Sequence, residues 1–152
     1  MWMRHGFRGR AVVVAMVLAT AVGCDDSDGE GTPEAFELAG EWTTAFGSET
    51  ITATSWKSYD TGGALSFEQK VTRFDNAANV AIVQNLPDAE FGPNTYGKVL
   101  WLEPTGTQVS YCTVAYGHES VDSAANAPET DANETDLATG CAGFPWTTLT
   151  KK

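Results

Sequence analysis

The chain has 152 residues, 20 Asp and Glu against 9 Lys and Arg, and a formal net charge of −11. That length suits one domain with a modest core, and the charge excludes polyanionic partners, nucleic acid above all, because the summed field repels them. Expected partners are neutral, apolar or cationic, although acidity also serves the plainer purpose of solubility.

Arg4, Arg8 and Arg10 make a basic start, and Ala11–Val22 is an almost unbroken apolar run that ends in the small residues before Cys24. This is the pattern of a secretory signal. As a helix the run spans roughly 18 Å, short of the roughly 30 Å of a bilayer core. Ala21-Val22-Gly23-Cys24 resembles the bacterial lipobox. The resemblance implies cleavage before Cys24, lipidation of its sulfur and anchoring in a lipid bilayer of the cell envelope. Asp25 looks like the residue that retains lipoproteins in the inner membrane of enteric bacteria, a rule that varies between bacterial groups, so the leaflet stays open. Residues 1–23 carry three Arg and no acid, so their loss takes the net charge from −11 to −14. Asp25–Ala35 is acidic and nearly devoid of apolar side chains, the composition of an unstructured tether. Such a coil reaches roughly 15–20 Å. The expected division is a signal peptide over 1–23, the lipidated cysteine and tether over 24–37, and a folded domain over 38–152.

From Leu38 onward, short stretches of period two rich in Thr, Val, Ile and aromatics predict strands. Trp42–Phe46 and Glu49–Trp56 flank Gly47-Ser48, which fits a two-residue hairpin loop. Leu65–Phe74 alternates as a half-buried strand. The more uniformly apolar Val80–Leu86 is placed centrally in the sheet, and Pro87–Asn94 is a loop. Lys98–Glu103 and Gln108–Tyr116 form a hairpin around Pro104-Thr105-Gly106. Glu119–Ala127 is Ala-rich and predicts two helical turns ended by Pro128. Glu129–Gly140 is an exposed acidic loop, and Phe144–Thr150 a last strand.

There are three cysteines. With Cys24 lipidated, Cys112 and Cys141 remain as a pair in an oxidising setting and are expected to bond. The alternative is two buried free thiols. Closing a loop of about 30 residues stabilises the fold by roughly 3–4 kcal/mol on the chain-entropy argument.

Gly40-Glu41-Trp42 followed by Gly47-Ser48 resembles the first hairpin of calycin-type barrels, the lipocalins and avidins. That resemblance implies a Trp packed across the barrel base and a ligand contact at Ser48. Thr44 stands where avidins have an asparagine, so the biotin amide contact has no counterpart. The aromatics, among them Trp42, Trp56, Trp101, Tyr111 and Trp146, either fill a small barrel or line an apolar pocket.

Asp131-Ala132-Asn133-Glu134-Thr135-Asp136 spaces oxygen donors like the start of a calcium loop, without the turn glycine or the distant bidentate glutamate. His118 is the only histidine after processing, which excludes a zinc site built on several His and Cys. Its neighbours Glu119 and Ser120 do not make a triad by adjacency. The expected fold is therefore mainly β, a small antiparallel meander barrel or sandwich of six to eight strands with one short helix. The leading expectation for function is a membrane-anchored module, without catalysis, metal or cofactor, that holds a small apolar or aromatic ligand through Ser48, Trp101 and Tyr111. The other is a structural or protein-interaction lipoprotein of the envelope, with a filled core.

Overall fold

The computed structural model describes residues 34–152. The expected signal segment, Cys24 and the first part of the tether lie outside the described residues. Eight strands form: β1 (Gly40–Thr44), β2 (Gly47–Ile51), β3 (Ser55–Tyr59), β4 (Leu65–Asp75), β5 (Val80–Asn85), β6 (Tyr96–Trp101), β7 (Gln108–His118) and β8 (Thr147–Lys151), with one helix, α1 (Val121–Ala125). Each strand pairs antiparallel with the next, and β8 returns to β1 through Trp42↔Lys151 and Thr43↔Thr150. The meander is thus a closed barrel and not a sandwich, and closure removes the edges that an open sheet presents.

Two local corrections set the register. The first hairpin turns at Ala45–Phe46, not at Gly47-Ser48, with Thr44 opposite Gly47. Gly47 has φ +143°, and a Cβ there would lie 2.1 Å from the Tyr59 carbonyl oxygen; glycine is required for close approach of the next strand, not for the loop. The run Glu49–Trp56 is broken in the middle. Thr52 Oγ1 accepts from the Ser55 and Thr54 amides at 2.9 and 3.3 Å, while the Thr52 amide donates to Ser55 O at 2.8 Å. A hydroxyl that offers the backbone a local partner makes the turn and divides one expected strand into β2 and β3.

One end of the barrel is plugged. Phe36 stacks on Phe74 with ring centroids 4.7 Å apart and meets Trp101 edge-on at 5.6 Å. The Trp42 indole donates to Leu38 O at 2.9 Å and the Trp101 indole to Glu37 Oε2 at 2.9 Å. Above this plug lie Ile51, Trp56, Val71, Val83, Val99, Val109 and Leu149, all buried. The folded unit therefore begins before residue 38: Phe36, 3% exposed, belongs to the core and not to the tether. Burying a Phe side chain stabilises by roughly 1.5–3 kcal/mol, which offsets part of the entropy of ordering this short stretch.

The long connection between β7 and β8 lies against the outside of the wall. Leu100, Cys112 and Val114 face outward and are covered by Trp146, and Cys112 is joined to Cys141. Ser120 caps α1, accepting from the Ser123 amide at 3.1 Å, as N-cap serines do. Lys98 is 5% exposed beneath the helix. Its ammonium donates to Ala125 O and Ala127 O, both at 3.1 Å, and pairs with Glu129. A buried ammonium is tolerated because three oxygens replace its water. Ile82, on the outer face of β5, is buried too, which accounts for the uniformly apolar sequence of that strand.

Candidate binding site

The end opposite the plug is built from the Ala45–Phe46 turn, the Asp60–Ala64 turn and the loop between β5 and β6, with β7 ending and β8 beginning there. Strand alternation turns Ser58, Gln69, Asn85, Thr113 and Thr147 inward in the half nearer this end. All five are polar and partly exposed, in contrast to the apolar half below them. Gln69 donates to Asn85 Oδ1 at 2.8 Å. Asn85 donates in turn to the carbonyls of Phe91 and Gly92, both at 3.1 Å. Asn85 thereby pins the β5–β6 loop to the rim.

Between the two halves sits Glu49, 5% exposed. Its Oε2 accepts from the Trp56 indole at 2.7 Å and its Oε1 from the Tyr111 hydroxyl at 2.8 Å; the two rings meet edge-on at 4.9 Å. Among the described residues the ion pairs are Lys57–Glu68 and Lys98–Glu129, so this carboxylate is held by neutral donors only. Burial raises its pKa, and the bonds from Tyr111 and Trp56 pull it back in part. The Tyr111 phenol is pushed well above its usual 10 by burial, then by the Glu49 charge and the bond to it. The phenol is therefore a fixed donor, and Glu49 is the group of the pair that titrates first.

The three residues expected to meet a ligand do not converge. Tyr111 faces the interior beside Glu49. Trp101 is 2% exposed and belongs to the plug. Ser48 points outward, because Glu49 and Ile51 point inward on the same strand, and it borders a shallow cleft with Thr43, Asp60 and Lys152. The hairpin turning two residues early is the reason. The Pro87–Asn94 loop stands at the rim, whereas the Glu119–Gly140 segment lies along the outer wall.

Elsewhere, Asp136 and Asn133 spend their oxygens on their own turn, accepting from Ala138, Thr139 and Thr135. His118 Nδ1 and Ser123 Oγ lie 2.8 Å apart at the surface. Glu49 escaped the sequence reading, although its signal was present: Ile51 inward implies Glu49 inward on any strand.

The larger clefts open at the rim and on the outer wall, and neither Glu49 nor Tyr111 lines them. One of about 670 Å³ lies between Thr43–Phe46 and Phe144–Thr148. Another of about 450 Å³ lies between Leu65–Glu68 and Leu86–Phe91. Six of the seven large apolar side chains exposed among the described residues gather at this end: Phe46, Leu65, Phe67, Phe91, Tyr116 and Phe144. In comparison with known proteins, the chain matches no family model, no curated protein and no solved structure.

Proposed function

We propose that this barrel is a protein-interaction module of the bacterial envelope, tethered through a lipidated Cys24, which meets its partner with the aromatic end. One observation carries the reading: the large exposed apolar side chains collect at the end away from the plug, whereas Ala35 and Phe36, where the described chain enters the barrel, lie on the plug side. Single exposed apolar residues need no explanation, but a contiguous set of them marks a contact surface. The filled lower interior, with Trp101 and Phe36 sealed into it, weighs against a deep calyx.

The small-ligand reading keeps one supporting observation, the buried Glu49 beneath a polar and partly exposed inner ring. In that reading the ligand enters over Ser58 and Thr147 and is recognised by Glu49 and Tyr111, not by Ser48 or Trp101.

The test places a photo-crosslinking residue at Phe91 or Phe144, and as control at Asn76 near the plug, in the full chain expressed in cells. Rim positions are expected to give discrete protein adducts that vanish when Phe46 and Tyr116 are changed to Ser, and Asn76 to give none. Equal labelling at both ends, or none at the rim, overturns the reading. Cys24→Ser is expected to release the protein from membranes; continued membrane fractionation of that variant refutes the anchor.

A further inference from the structure

The wall is not equally continuous all round. The β1–β8 ladder ends at Thr43↔Thr150, where every other neighbouring pair of strands is joined over at least four residue pairs. On β8 the main-chain groups alternate between neighbours. Lys151 donates to Thr107 O on the β7 side, and Lys152 to Glu41 O on the β1 side. By that alternation Thr147 and Leu149 serve β7, and Thr148 and Thr150 serve β1. Thr150 meets Thr43, but opposite Thr148 the β1 chain has turned away at Ala45–Phe46. Among the described residues the Thr148 N–H and C=O are thus left without a strand partner, and Thr148 is exposed.

The cleft of about 670 Å³ opens at this parting of the strands, with exposed Phe46 and Phe144 at its sides. Its lining is threonine, alanine, proline and aromatic, without one charged residue, on a chain that carries 20 acids. An unpaired strand edge is a template for another strand. Added strands are held by main-chain bonds, with alternate side chains entering pockets. An uncharged lining accepts side chains that bring no charge to be desolvated.

We infer that the parted seam between β1 and β8 takes up a short extended segment of a protein partner, uncharged where it enters the cleft, held on the main chain at Thr148; one step back on the same side the Trp146 N–H is already given to Leu137 O at 3.0 Å. This rests on the reading of the aromatic end as a protein-interaction surface and names the mode of contact. The added segment accepts from the Thr148 N–H and donates to its C=O, while alternate side chains pack between Phe46 and Phe144.

The probe is an uncharged peptide of alternating Thr and Val, compared with the same peptide N-methylated at every residue, so that it has no N–H to donate along either edge. Amide exchange is followed in the full exported chain in detergent. The plain peptide is expected to slow exchange of the Thr148 amide about tenfold or more, and the N-methylated one to leave it unchanged. Thr148→Pro removes an N–H that no strand among the described residues uses, so the fold is retained. Because this variant has no amide at 148, binding of the plain peptide carrying a dye is read by fluorescence anisotropy and is expected to be lost. Equal protection by both peptides, protection near Phe91 instead of Thr148, or no protection at all overturns the inference. Crosslinks at Phe91 that persist when those at Phe144 are absent leave the interaction surface standing and remove this mode of contact alone.

Discussion

Glu49 gives the sharpest test of the interior. Both its oxygens accept from groups that are themselves enclosed, the Trp56 indole and the Tyr111 hydroxyl. Glu49→Ala strands the indole N–H, at about 1–3 kcal/mol for one buried unsatisfied donor, and adds a cavity term of about 24 cal/mol per Å³ that stays unfilled. Tyr111 loses less, because the Thr147 hydroxyl is also within its reach. Glu49→Gln behaves differently: its amide oxygen accepts from Trp56 and its NH₂ donates to a Tyr111 hydroxyl turned toward Thr147.

The sign of the pH effect follows from the raised carboxyl. A carboxyl whose folded pKa lies above its unfolded value of about 4.3 binds more protons in the native state. Its contribution is fully present below the unfolded pKa and is lost as pH rises through the folded one. Each unit of difference corresponds to about 1.4 kcal/mol. Urea midpoints of the parent chain and of Glu49→Gln, measured from pH 4 to 8, should therefore diverge in favour of Gln as pH increases. The comparison cancels the other acids, which titrate alike in both chains. A constant difference across the range, or a parent chain that gains on Gln at high pH, refutes the claim that burial dominates at this carboxylate.

Two further outcomes are expected. Phe36→Ala should cost about 3–5 kcal/mol, read from urea unfolding, although it lies in a stretch expected to be tether; a loss below about 1 kcal/mol would return residues 34–38 to that tether. Reduction of the Cys112–Cys141 bond, whose ends are 29 residues apart, should lower stability by roughly 3–4 kcal/mol. It should also raise amide exchange across 129–146 before the strands; unchanged stability after reduction would refute the role given to the bond.

The alternation of β4, the short helix before Pro128 and the cysteine pair were legible in the sequence because each rests on local chemistry: period, a breaker residue, and two thiols in a chain expected to be exported. The first hairpin was not. Gly47 serves a close approach to Tyr59, on a different strand, and a glycine gives the same local signal in a loop as in a crowded strand. The Thr52 turn hid for a similar reason, since threonine is favoured in strands and turns the chain only when its hydroxyl captures a backbone amide. Those two misplacements moved Ser48 from mouth to outer wall and drew attention from Glu49, its immediate neighbour. Lys98 resisted reading altogether: an apolar outer face on β5 and a buried lysine on β6 both depend on α1, a helix that arrives only after β7 has been laid down.

The narrow join between β1 and β8 also bears on how the molecule is made. Seven of the eight strand pairings link neighbours in sequence and accumulate as the chain emerges, whereas Thr43 and Thr150 are separated by 107 residues. Closing so long a loop costs entropy before any contact rewards it. The seam is therefore expected to close last, after an interval in which the sheet is still open. Two bare strand margins are exposed for that interval, which is when self-association competes with closure.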